Sequence, residues 1–187
     1  NSKFLGVQFY NVTFKNSNAI NSDFSGSNLN HFDFIGGSLQ NSKFKNTNGD
    51  GVSFKESSLD NTDFSYFTME SFVFDNVDLR TSNLDHLSME QSKFINSNLN
   101  ELHINDSKLR QVSFGNSDVG NLKIDNSLLR QITFDENSNI PDDLRYQISL
   151  ITFIEPIENF ADYLDRIYKN QITERFGFVD NPYTKFL

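Results

Sequence analysis

Three carboxylates, Asp50, Glu70 and Glu90, stand twenty residues apart. If the chain returns to the same place every twenty residues, they stack one above another, and like charges so close repel. Such a column is either a cation site or an acidic strip that recognises a basic partner. The plainer reading, and the favoured one, is a solvated face on which Arg110 and Arg130 continue the same spacing as partial compensation. Little else in the chain suggests chemistry. His31, His86 and His103 fall at different phases of the period, so they cannot converge on one metal or one catalytic centre. Asp60 and Asp63 come with no flanking pocket that would raise one pKa for acid-base work. Single glycines do not make a phosphate-binding loop, and the absence of cysteine removes thiolate metal sites and disulfides. No catalytic, metal or cofactor-binding residue is expected, and partner contact at Asp50, Glu70 and Glu90 is the candidate site.

The elements that position this column follow from a twenty-residue repeat. Phe14, Phe34, Phe54, Phe74, Phe94, Phe114 and Phe134 recur without a slip, and Ala19, Leu39, Leu59, Leu79, Leu99 and Val119 form a second series five residues on. Written in fives from Asn1, the fourth position is apolar in 26 of 27 pentads, the exception being Gly49, and the second is usually small or apolar. Both should point inward. The first position is Asn or Gly in 16 of 27, which suits a corner because these residues tolerate positive φ. Positions three and five carry most of the charge and should face out. An α-helix does not fit, since a step of five advances each apolar position by about 140° and smears the stripe. A chain that turns a corner every five residues and closes a coil after four sides does fit. About seven such coils, stacked at the strand spacing, make a shaft roughly 32 Å long. Gly49 reads as local relief of packing.

The pentads resemble the pentapeptide-repeat family, whose loose motif is a small residue, Asp or Asn, then Leu or Phe, then two variable positions. The runs SDFSG at 22–26, SNLNH at 27–31 and TDFSY at 62–66 carry the likeness. The resemblance covers about 135 of the 187 residues and implies a right-handed quadrilateral β-helix, an all-β solenoid, over 1–135. Some members of the family mimic a short acidic DNA duplex and protect or inhibit DNA gyrase, which makes a gyrase or topoisomerase an alternative partner. Here the alternation of Lys3, Asp23, Lys43 and Asp63, which looks like cross-coil ion pairing, breaks up a negative face, as do Lys15, Lys45, Lys55, Lys93, Lys108 and Lys123.

From Glu136 the pattern changes. Pro141 suits a first helical turn, Asp142 and Asp143 favour its positive end, and Leu144, Ile148 and Ile151 recur at helical spacing up to Pro156. A second amphipathic run carries Phe160, Tyr163, Leu164, Ile167, Ile172 and Phe176, with Gly177 as a stop. Residues 136–187 are therefore expected to be a helical cap over Leu129, Ile132 and Phe134, with homodimerisation as the rival use. Phe4 and Phe9 at an end that solenoids normally cap, and the apolar ending Phe186-Leu187, give the expectation that the natural chain extends beyond both termini.

A net charge of −9, shared by both parts of the chain, argues against a direct grip on nucleic acid. No run of eighteen apolar residues spans a bilayer. The expectation is a non-enzymatic, cytoplasmic bacterial scaffold that binds another protein and needs no cofactor. A topoisomerase-directed DNA mimic is one alternative. The other is the repeat domain of a larger bacterial effector secreted into a host cell, with a catalytic part such as a HECT-like ubiquitin ligase.

Overall fold

The structure, a computed structural model, describes residues 1–135, 138–145 and 148. Residues 1–135 form a parallel all-β solenoid in which each residue lies beside the one twenty positions later. The register runs unbroken from Lys3↔Asp23 through Phe54↔Phe74 to Phe114↔Phe134. Strands of three residues such as Thr68–Glu70 and Val73–Asp75 lie on two adjacent sides, and in the first two coils they fuse round the corner into Gln8–Asn18 and Asn28–Ser38. A third side is pinned by isolated bridges such as Ser58↔Asp78, and the fourth by bridges and then by the pair His103–Asn105 and Lys123–Asp125.

The corners explain the Asn and Gly habit. Twenty-four first positions have a positive φ, among them ten asparagines and also His31, Glu56, Tyr66 and His86. That region costs most L-residues roughly 1–2 kcal/mol and Asn and Gly less. Thr81, β-branched, is not among the left-handed corners. Its hydroxyl accepts the Asn61 N–H at 3.0 Å, where the neighbouring Asn41 corner gives its N–H to the Asp60 carbonyl. Gly37 has φ +93°, and a methyl there would run into the Ser17 backbone.

Fourth-position residues fill the shaft. Phe24, Phe44 and Phe64 stack on one side, with centroids 4.7 Å apart for Phe24–Phe44 and 5.3 Å for Phe44–Phe64. Phe54, Phe74, Phe94, Phe114 and Phe134 stack on the other, at 5.0 Å for both Phe74–Phe94 and Phe94–Phe114. The two ladders meet edge to face, as in Phe54–Phe64 at 70° and Phe64–Phe74 at 86°, the arrangement ring quadrupoles favour. Phe32, a second-position residue, also reaches the ladder, its ring centre 6.4 Å from that of Phe54 and 5.5 Å from that of Phe14. Phe4, Phe9, Phe14 and Phe134, in the outermost coils, are only half-buried.

Second-position hydroxyls hold the coils together from inside. Ser42 Oγ donates to the Ala19 carbonyl at 2.7 Å and accepts the Ser22 N–H at 3.4 Å. Ser97 Oγ accepts the Val77 N–H at 3.3 Å and has the Ile95 carbonyl at 2.8 Å, nearer than the Phe74 carbonyl at 3.3 Å. Each adds a hydroxyl partner to backbone groups that face the apolar shaft, although the Ser22 N–H and the Ala19 carbonyl also bond each other at 3.2 Å. After the solenoid, residues 142–145 form a helical turn; Arg145 N–H donates to the Pro141 carbonyl at 2.9 Å, and Leu144 is buried. The remainder of the expected first helix and all of the expected second one lie outside the described residues. Among the described residues no helix is long and apolar enough to cross a membrane.

Candidate functional site

The period places Asp50, Glu70 and Glu90 directly over one another on one sheet face. Asp50 pairs with Glu70, Glu70 with Glu90, Glu90 with Arg110 and Arg110 with Arg130, each across a parallel strand contact. The face consists of Asn48–Asp50, Thr68–Glu70, Ser88–Glu90, Lys108–Arg110 and Leu128–Arg130. In every strand the middle residue points into the shaft and its neighbours point out, the alternation a pleated strand imposes. Arg110 Nη1 lies 3.3 Å from Glu90 Oε1, both side chains being well exposed. Among the described residues no group of three or more His, Asp or Glu is placed to hold a metal ion. The column is thus a solvated charged strip, carried by backbone that a packed core fixes in place.

Beside it runs a corner column of interacting side chains. Tyr66 stacks on His86 with centroids 4.4 Å apart, Lys45 Nζ lies 5.6 Å from the Tyr66 ring centre, and His86 Nδ1 is 4.0 Å from Asp106 Oδ2. The signal was available, since Tyr66, His86 and Asp106 share the twenty-residue spacing. The three histidines stand apart, each with its own partner: His31 Nδ1 at Asn30 Oδ1, His86 at Asp106, and His103 Nε2 at Asp125 Oδ2, 2.8 Å away.

The Lys3, Asp23, Lys43, Asp63 column does stack in register, but it corrects the expected ion pairing. The ion pairs among the described residues are Arg80–Asp78 and Arg110–Glu90, and the contacts His86–Asp106 and His103–Asp125 are imidazole–carboxylate pairs, charged only when the imidazole is protonated. The reason is local. Asp23 Oδ1 accepts the Ser25 N–H at 3.0 Å, and Asp63 Oδ1 the Ser65 N–H at 2.9 Å, so each carboxylate caps its own corner. Partial burial pushes the Asp23 carboxyl up, but the Ser25 hydrogen bonds, and after them the charges of Lys43 and Lys3, hold it below the ordinary value. Asp78 is likewise held low, chiefly by its hydrogen bonds from Arg80.

Of the apolar residues at outward and corner positions, Tyr10 and Tyr66 are exposed and Ile20, Ile35 and Ile95 are half-buried. Leu5 and Leu128 are also exposed, the latter on the charged face.

Residues 1–64 match a model described as a pentapeptide repeat region, and residues 73–111 match one described as pentapeptide repeats in eight copies. Together these stretches span more than half of the chain. No curated protein matches it. Among solved structures, full-length QnrB1, a plasmid-mediated fluoroquinolone resistance protein, is 16% identical with a TM-score of 0.38, covering 83% of this chain and 97% of its own. A pentapeptide repeat protein of the Arabidopsis thaliana thylakoid lumen is 17% identical with a TM-score of 0.33, covering 78% of this chain and 77% of its own. One from the cyanobacterium Cyanothece 51142 is 12% identical with a TM-score of 0.33, covering 75% and 88%.

Proposed function

We propose that this chain, which belongs to the pentapeptide-repeat family, is a non-enzymatic protein-interaction module that offers a preformed sheet face to another protein. The observation that carries the reading is the in-register charged column on the face built from residues 48–50, 68–70, 88–90, 108–110 and 128–130. Its side chains project from strands whose middle residues are buried in an aliphatic layer, with Met69 and Met89 each 1% exposed. Binding such a face requires no ordering of backbone, so little conformational entropy opposes association.

The test is affinity capture with the full chain as bait, followed by identification of the retained protein and measurement of its affinity. Changing Asp50, Glu70 and Glu90 together to Ser should reduce that affinity at least about tenfold, because rim charges steer and orient a partner. Affinity unchanged in the triple variant, with the fold intact by circular dichroism, would move the interaction to another face.

The acidic half of the column also gives some support to a second reading, a DNA mimic directed at gyrase or a topoisomerase. Arg110 and Arg130 interrupt the negative strip, which makes this reading the weaker one. Inhibition of gyrase supercoiling by the wild type, lost in the same triple variant, would reverse the order.

A further inference from the structure

The charges of the column are ordered along the solenoid axis. Asp50, Glu70 and Glu90 occupy one half of the face, Arg110 and Arg130 the other, with Lys108 two residues from Arg110 on the same side of its strand. The halves meet at the Glu90–Arg110 contact of 3.3 Å. Leu128, also outward-facing, is 63% exposed.

We propose that this face binds a second copy of the chain, the two solenoids lying antiparallel about a two-fold axis between the strands Ser88–Glu90 and Lys108–Arg110. The inference rests on reading the face as an interaction surface, and it adds a second copy of the chain as an occupant of that surface. An axis lying in the interface along the strand direction reverses the solenoid and keeps each outward column over itself. Glu90 then faces Arg110 of the second copy, Glu70 faces Arg130 of the second copy, and both contacts recur with the copies exchanged, as isologous symmetry requires. The neighbouring column obeys the same operation. It sets Leu128 against the methyl of Thr68 and Lys108 against Ser88, so the exposed leucine gains an apolar cover. At the axis itself two carboxylates and two guanidiniums alternate.

A parallel pair, its two-fold axis along the solenoid, makes no acid–base contact: centred on the column it sets acid on acid and base on base, and centred between the columns it sets Arg110 on Lys108 of the second copy. A cation or a basic peptide would use the three carboxylates and leave Arg110, Arg130 and Leu128 without a role. The face is only three outward-and-inward positions wide, well below the roughly 800 Å² per partner of a standard interface, so the dimer is weak, in fast exchange and salt-sensitive.

The test is sedimentation velocity over a concentration series on the full chain, with the variants Glu70→Arg and Arg130→Glu, both at exposed positions. Wild type should self-associate, and salt near 0.5 M should weaken that association about tenfold or more. Each variant alone should lose self-association, because like charges then meet twice across the axis. An equimolar mixture of the two should recover it as a heterodimer, since every swapped charge finds its opposite. Association persisting in both single variants would place the interface elsewhere and overturn the proposal, as would monomers throughout, with no recovery in the mixture. Neither result touches the capture experiment, which reads binding of another protein independently.

Discussion

Gly49 is an inward fourth position without a side chain because Phe72 takes its space. A methyl built on Gly49 would sit 2.7 Å from Phe72 Cε2 and 3.0 Å from Val52 Cγ2. Phe72 cannot move aside easily, being fully buried with its ring edge against Phe67 at 5.0 Å. Gly49→Ala should therefore lower stability by about 1–3 kcal/mol in urea denaturation, and adding Phe72→Leu should recover part of the loss. Equal midpoints for wild type and Gly49→Ala would show that the ring yields. The large-for-small exchange was half legible: the missing side chain stood out of the column, but its compensating residue is a second-position Phe in the next coil. Asp23 gives a pH prediction at the same scale. Its folded-state pKa lies below the ordinary 3.8, so its stabilisation is present above that value and lost as pH falls through the folded value. Asp23→Asn should be less stable than wild type at neutral pH, and the difference should shrink on acidification below 3.8. A gap that stays constant with pH would show that the ionised form of Asp23 contributes no extra stability to its corner.

At the scale of the element, one coil side is a corner, an inward hydroxyl or apolar group, an outward residue and an inward core residue. The hydroxyl is the part whose role the sequence hid. Serine at the second position reads as small, yet Ser27, Ser42, Thr47, Thr62 and Ser82 each donate to a carbonyl twenty-three residues earlier. Ser42→Ala should cost about 0.5–1.5 kcal/mol, the worth of one net hydrogen bond, because the Ser22 N–H and the Ala19 carbonyl keep each other at 3.2 Å when the hydroxyl is gone. Ser42→Thr should be close to neutral, since Thr47 and Thr62 hold the same place in neighbouring pentads. Equal chemical-denaturation midpoints for the Ala and Thr variants would reduce the hydroxyl to a space filler. The corners were more legible, because the preference for Asn and Gly reports a backbone angle that residues of other types adopt at a cost.

Over the whole solenoid each coil contacts only its neighbours, so stability is close to a sum of coil terms and nearest-neighbour terms. The first coil, residues 1–20, packs against residues 21–40, and the middle coils pack on both sides. Phe4, Phe9 and Phe14 are half-buried in the first coil, whereas Phe64, Phe74 and Phe94 are fully buried in the middle. Amide hydrogen exchange should follow this gradient, with backbone amides of residues 1–20 exchanging at least about tenfold faster than those of 61–100. Uniform protection along the solenoid would instead mark a single cooperative unit. The same one-dimensional build sets what the surface can do: any outward residue type, repeated at twenty, becomes a line of charge on a fixed spacing, and a change of sign along that line makes the face self-complementary.

By itself the sequence determined the period, the four-sided coil, the inward and outward positions and the stacking of Asp50 on Glu70 on Glu90, because a strict repeat converts position in the chain directly into position in space. Tertiary structure decided what those stacked groups do. Asp23 and Asp63 turn to their own corners instead of to Lys43, Glu90 takes Arg110, Tyr66 takes His86, and Phe72 enters the gap at Gly49. Each of these is a competition among several partners within reach across neighbouring coils. It is settled by side-chain geometry and packing volume, which spacing along the chain does not encode.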